Sequence, residues 1–447
     1  MTRRRAVVCI TEGAEPALLD RWGPELLPAF HRLRRDGAYG TMRGEHVPYE
    51  PSGLLSAFTG YGPSEHGCFS YWDVHSPDYE PVVLDSGSPR RELLWHRPEL
   101  ADRTVAVVNV FGTHPVRPVN GYCIAYPMRS SMHVCHPRTL PVTLSKAGIP
   151  TIHDVTVWFT GGDREEFVPK VLAADAARAD AALHLFDGGA GQAPDLTVLN
   201  LTAIDRLSHV YWQELEEGSP VPEHERAVLR AYQQTDAVLG RLLDRVDEHT
   251  DVLAFSEIGF GPLRAYCSVN DVLAAAGLLA YDPAGRPDWR RTRAFESVQG
   301  SQGVNVNLIG RYKHGTVPSA DRERVLDEVR TALLAHINPL TGGPLFADVL
   351  RREDLHPGPA MEAAPDLILE PYDWRYLPLG DTFWSAKVNR RLQSAWHRRD
   401  SYWGGVGPSF SAGTGQPAVT VDVAPTVVRM LGLPALDELP GRCLASS

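Results

Sequence analysis

Residues 196–212 read LTVLNLTAIDRLSHVYW, an apolar run of strand length followed at once by a carboxylate and an imidazole four residues apart. The run Leu196–Leu201 reads as a buried strand. The spacing of Asp205 and His209 puts both on one face if the next segment is a helix. Similar runs occur at Ala6–Ile10, Thr104–Val110 and Val252–Phe255. Between them lie helical patterns at Glu15–Asp36, interrupted by prolines, at Ser52–Thr59 after Pro51, and at Glu223–Arg245. Val421–Leu433 adds a last helix, stopped by Gly432 and Pro434. This alternation predicts an α/β protein, a three-layer α/β/α sandwich around a mostly parallel sheet.

Two regions interrupt the alternation, residues 111–190 and 263–395, both rich in Pro, Gly and aromatic residues. They are expected to be a cap insertion and a small subdomain, the second containing strands at Val304–Leu308 and Asp366–Leu369 around a helix at Asp321–His336. The core is then 1–110, 191–262 and 396–447. Ligand sites in open α/β sheets lie beyond the carboxyl ends of the strands. Glu12, Asp205 and Glu257 each follow one of the apolar runs, so chemistry is expected there. A carboxylate and an imidazole converging on one helix face suit a divalent metal.

The 447 residues carry a formal net charge of −11, which argues against a nucleic-acid partner. No apolar stretch approaches the roughly 20 residues of a membrane span. The apolar run after Arg3–Arg5 is too short for a signal-peptide core, so a cytoplasmic location is expected, with the six scattered cysteines reduced. His133, Cys135 and His136 match no common zinc spacing and are read as a polar loop.

The segment His46–Gly67 (HVPYEPSGLLSAFTGYGPSEHG) resembles the nucleophile segment of the type I phosphodiesterase/nucleotide pyrophosphatase branch of the alkaline phosphatase superfamily, through Pro51, Thr59, Gly60, Pro63, His66 and Gly67. The resemblance recurs in order at Ala203–Trp212, Phe255–Leu263, His397–Pro408 and Asp422–Leu433. It implies one metal held by Asp205, His209 and His397. At the family's second metal site the matching positions are Glu12, Glu50, Glu257 and Ile258, where the family has an Asp, its nucleophilic Thr and an Asp-His pair.

Glu50 has no hydroxyl, and Ser52 and Thr59 belong to the following helix, so covalent phosphoryl transfer through a threonine is not expected. With Pro51 at the first helical position, Glu50 falls at the N-cap, where glutamate is not a preferred residue. Random decay would leave small residues, whereas three positions carry glutamate. With Asp205 they bring four negative charges, which two divalent ions would cancel. One reading is therefore a metal-dependent hydrolase acting through a metal-bound water on a small polar, phosphoester-like molecule, with Glu50 or Glu257 as base and zinc, manganese or iron as the ion. A second is an iron or manganese redox enzyme with a rebuilt dinuclear site, its ligands Glu12, Glu50, Glu257, Asp205, His209 and His397 resembling the ferritin-like set. A third is a non-catalytic relative in which Glu50 mimics a phosphorylated threonine. Trp72, Tyr126, Arg129, His133, His136 and Trp158 are the candidates for setting the substrate, and the Arg-, Ala- and Gly-rich composition fits a GC-rich bacterial source and specialised metabolism.

Overall fold

Leu196–Leu201 is a fully buried strand near the middle of a ten-stranded sheet in a computed structural model that describes residues 3–126, 134–152, 163–378 and 393–446. Arg5–Thr11 lies beside it, pairing in parallel with both Leu196–Leu201 and Thr250–Phe255. Val105–Val108 and Gly121–Ile124 extend the parallel set on one side. On the other, Asp400–Val406 runs antiparallel between Thr250–Phe255 and Ala38–Arg43. Continuous apolar runs are what strands buried on both faces require.

Alternation along Arg5–Thr11 sends Val7 and Cys9 to one face. There they share a core with the helices Pro16–Leu26, Pro28–Asp36, Arg164–Phe186 and Ala227–Leu243. The helix Val423–Met430 also packs on Arg5–Thr11 but is not part of that core, and it touches Glu50–Thr59. The predicted three layers are therefore present. Because the central strands run in parallel, their carboxyl ends gather Glu12, Asp205 and Glu257 at one edge.

The chain divides into two compact units. The larger holds Met1–Gly62, Asp85–Pro262 and Leu392–Ser447, and the smaller Pro63–Leu84 with Leu263–Arg391. In the smaller, a four-stranded antiparallel sheet (Ala294–Glu296, Gly303–Val306, Leu367–Pro371, Phe346–Arg351) carries the helices Val269–Ala275 and Arg322–Leu334 on an apolar core of its own.

The described part of 111–190 does not form a separate cap. Gly121–Ile124 and Cys135–His136 are strands of the central sheet, and Arg164–Phe186 covers Val105–Val108 and Leu196–Leu201. Five of the thirteen buried residues of that helix are alanines and two are the charged Asp175 and Arg178, which gives weak amphipathic contrast. Cys135 and His136, expected in a loop, pair with Ile124 and Cys123 at the sheet edge. All six cysteines are free. Among the described residues no helix is long and apolar enough to cross a membrane.

Candidate functional site

Asp205 and His209 lie on the helix Ala203–Tyr211, which begins two residues after the strand Leu196–Leu201. A buried ion pair anchors its start. Asp175 accepts from the Ala203 amide at 2.7 Å and from Arg178 Nη1 at 2.7 Å, while the same nitrogen donates to Thr202 Oγ1 at 2.8 Å. His397 arrives from the strand Ala395–Arg398, antiparallel to Gly259–Pro262.

These three side chains converge. His397 Nε2 is 3.1 Å from Asp205 Oδ1 and 3.1 Å from His209 Nε2, and His209 Nε2 is 3.4 Å from Asp205 Oδ1. A tetrahedral ion bound at 2.0–2.1 Å separates adjacent ligand atoms by about 3.3 Å. The far side of each ring fixes its tautomer. His209 Nδ1 faces the Ala395 carbonyl at 3.1 Å and His397 Nδ1 faces the Pro48 carbonyl at 3.2 Å. A carbonyl only accepts, so each Nδ1 carries a proton and both Nε2 atoms are turned toward Asp205 and each other. Phe260 and Trp396 pack against both rings and hold their orientation. Burial lowers His397 to about 4, although its bond to Asp205 works against the shift. Burial alone would raise the Asp205 carboxyl, but His209 and Arg206 hold it well below the usual carboxylate range.

Two of the carboxylates expected at a second half-site, Glu12 and Glu50, lie beside Asp205, in a group that does not include Glu257. Glu12, Glu50 and Asp205 each offer an oxygen, all within 4.8 Å of one another, and all three are buried. Glu12 sits on a turn where Gly13 has a φ of +86°, and a Cβ at Gly13 would meet the Phe260 ring at 2.9 Å. Glu12 accepts from Asn200 Nδ2 at 2.7 Å. Glu50 is the first residue of the helix Glu50–Thr59, and Tyr49, not Glu50, is the N-cap. Pro51 therefore sits one position later than expected, and the carboxylate is inside the first turn, where the helix dipole favours it. Burial raises Glu50 well above the usual range, reinforced by Asp205 and Glu12.

Glu257 is fully buried, and neither of its carboxylate oxygens has a hydrogen-bond partner among the described residues. Burial and then Glu12 push its carboxyl well up. It fits because Gly53 leaves room: a Cβ there would lie 2.8 Å from Glu257 Cγ. Ile258 is buried against Phe260 and Ala395, so this position offers no ligand. Thr59 donates to the Leu55 carbonyl at 2.7 Å, at the opposite end of its helix from Glu50, roughly 13 Å along the axis.

Sequence reasoning missed Arg206. Its Nη1 is 2.5 Å from Asp205 Oδ2, 3.9 Å from Glu50 Oε1 and 4.0 Å from Glu12 Oε1, and its Nη2 donates to the Tyr126 hydroxyl at 2.6 Å. Asn200, missed as well, is the one amide inside an apolar strand. Of the expected substrate-setting residues, Tyr126 reaches the site through Arg206, His136 is at the sheet edge, and Trp72 belongs to the smaller unit. Arg129, His133 and Trp158 lie outside the described residues.

A predominantly parallel α/β sandwich with carboxylates and imidazoles at its strand ends is the architecture of the alkaline phosphatase superfamily. Within it, the chain belongs to the type I phosphodiesterase/nucleotide pyrophosphatase family, whose model matches residues 6–398. It is thus a phosphodiesterase/pyrophosphatase-like hydrolase by descent, in a family that uses divalent metal ions. Among solved structures it is similar to human ectonucleotide pyrophosphatase/phosphodiesterase 5, at 13% identity and a TM-score of 0.60, covering 99% of this chain and 100% of that one. An inactive threonine-to-alanine variant of the murine protein, in complex with AMP, matches at 12% identity and 0.60 over 100% of both chains. Phosphonoacetate hydrolase from Sinorhizobium meliloti 1021, in complex with phosphonoacetate, matches at 17% identity and 0.60 over 96% of each. At such identities the likeness is one of fold. No curated protein matches the sequence.

Proposed function

We propose that the chain is a divalent-metal-dependent hydrolase of a small phosphoester- or phosphonate-like molecule, in which Glu50 takes a proton from water instead of a threonine attacking phosphorus. The observation that carries the reading is the confrontation of two imidazole Nε2 atoms and one carboxylate oxygen at ligand–ligand spacing. Zinc, manganese and iron all suit that donor set. Bound there, such an ion would polarise a phosphoryl oxygen and lower the pKa of water.

The residues do the rest. The Ala395 and Pro48 carbonyls hold the Nδ1 sides of His209 and His397 and turn both Nε2 atoms inward. A Glu50 oxygen lies within 4.8 Å of an Asp205 oxygen, within reach of a water beside that ligand. His209, with 12% of its side chain exposed, is the side from which substrate can reach the cluster. The solved relatives that hold AMP and phosphonoacetate support a phosphorus-containing anion as the substrate class.

The test is hydrolysis of aryl phosphodiesters and phosphonates by protein loaded with Zn2+, Mn2+ or Fe2+, with and without chelator, beside Glu50→Gln. Metal-dependent turnover that collapses in Glu50→Gln supports the reading. A wild type that binds no ion overturns it and favours a non-catalytic role.

A further inference from the structure

Asp205 divides its two carboxylate oxygens between two cation positions. Oδ1 faces the imidazoles of His209 and His397, and Oδ2 faces a guanidinium. A carboxylate bridging two metal ions would be divided in the same way. On the Oδ2 side stand the oxygens of Glu12 and Glu50, which with Asp205 form a group able to hold an ion. The Arg206 Nη1 atom is within 4.0 Å of an oxygen from each of the three.

We propose that Arg206 takes the place of a second metal ion, so that the chain holds one divalent ion, at Asp205, His209 and His397, and fills the Glu12–Glu50 half-site with its own cation, offsetting one of its two negative charges. The inference rests on the metallohydrolase reading above and removes the dinuclear redox alternative. Three features support it. First, the guanidinium is buried, at 6% exposure, and its second nitrogen is tied to the buried Tyr126 hydroxyl, so it is held in the half-site and does not swing to solvent. Second, a dication on the same oxygens would compete with the arginine for their lone pairs and repel it, and moving the arginine aside would strand a buried charge. Third, arginine keeps its charge at any working pH, so the half-site is never without its counter-ion. The substitution also fits position 50. With no hydroxyl there, the half-site has no side-chain nucleophile for an ion to activate.

The experiment is metal stoichiometry by plasma mass spectrometry after saturation with Mn2+ or Zn2+ and removal of free ion, for wild type, Arg206→Lys and Arg206→Met. One equivalent is expected in wild type and Arg206→Lys, and two in Arg206→Met. Spin resonance of Mn2+-loaded wild type gives a second measurement that needs no variant, with the six-line spectrum of an isolated ion expected. Two equivalents or an exchange-coupled pair in wild type, or one equivalent in a folded Arg206→Met, overturns the proposal and leaves the metallohydrolase reading standing. Zero equivalents in wild type overturns both.

Discussion

His209 and His397 point the same ring nitrogen, Nε2, at each other across 3.1 Å, each held there by a backbone carbonyl behind it. Two facing lone pairs repel unless a cation or a proton lies between them. Divalent ions should therefore raise the Tm of wild type, because a ligand bound only by the native state stabilises it by about 2.7 kcal/mol at a hundredfold excess over Kd. His209→Ala and His397→Ala should lose both the bound ion and the Tm shift, read by calorimetry with and without chelator.

Glu50→Gln keeps the shape of the side chain but cannot take up a proton. The expected result is a fall in kcat of about 10²–10⁴-fold. Metal content should be unchanged, because none of the three atoms that converge at ligand spacing comes from Glu50.

Gly53 and Glu257 are a matched pair, since a methyl at position 53 would lie 2.8 Å from Glu257 Cγ. Gly53→Ala should destabilise the fold by about 1–3 kcal/mol through overpacking. Adding Glu257→Ala should return part of that loss, and urea denaturation of the two single variants and the double measures the coupling.

Asp175 and Arg178 are 2% and 3% exposed and together hold the start of the helix that carries Asp205 and His209. Removing one member of a buried pair costs about 3–5 kcal/mol. Asp175→Ala should show that loss in urea, and should weaken ion binding because the helix start is no longer fixed.

His75, in the smaller unit, donates from Nε2 to the Ala364 carbonyl at 2.7 Å and accepts at Nδ1 from the Tyr312 hydroxyl at 2.7 Å. The neutral ring is fully satisfied, and burial lowers its pKa to about 4, with nearby Asp366 opposing. Because the folded pKa lies below the unfolded one of about 6.5, the unfolded chain takes up the proton first as pH falls. The contribution is present above about pH 6.5 and is lost between there and about pH 4. His75→Gln should flatten the stability profile over that window by up to about 3 kcal/mol, measured by denaturation at a series of pH values.

The four central parallel strands were legible because their runs are mostly apolar, whereas Ala38–Arg43 and Asp400–Val406, rich in glycine and polar residues, were not; the helix Ala203–Tyr211 was legible because its start follows a strand directly. Glu12, Glu50 and Glu257 were legible by their positions in motifs. His397 was not accessible to spacing arguments, since it meets His209 across 188 residues, and only the family resemblance placed it. Arg206 was invisible for a different reason. An arginine on a helix normally marks the solvated face, and nothing local says that this one is buried beside Tyr126. The segment Pro63–Leu84 gave no compositional sign that it belongs with Leu263–Arg391, because its partners are strands and loops far along the chain.

The place of Asp400–Val406 between Ala38–Arg43 and Thr250–Phe255 sets the order of assembly. During synthesis, Ala38–Arg43 must wait for more than 350 further residues before this neighbour exists, and His397 reaches the site in the same late segment. A ribosome-bound nascent chain therefore carries Glu12, Glu50, Asp205 and His209 long before His397 joins them, and until Asp400–Val406 emerges the edge of Ala38–Arg43 that it will cover stays open.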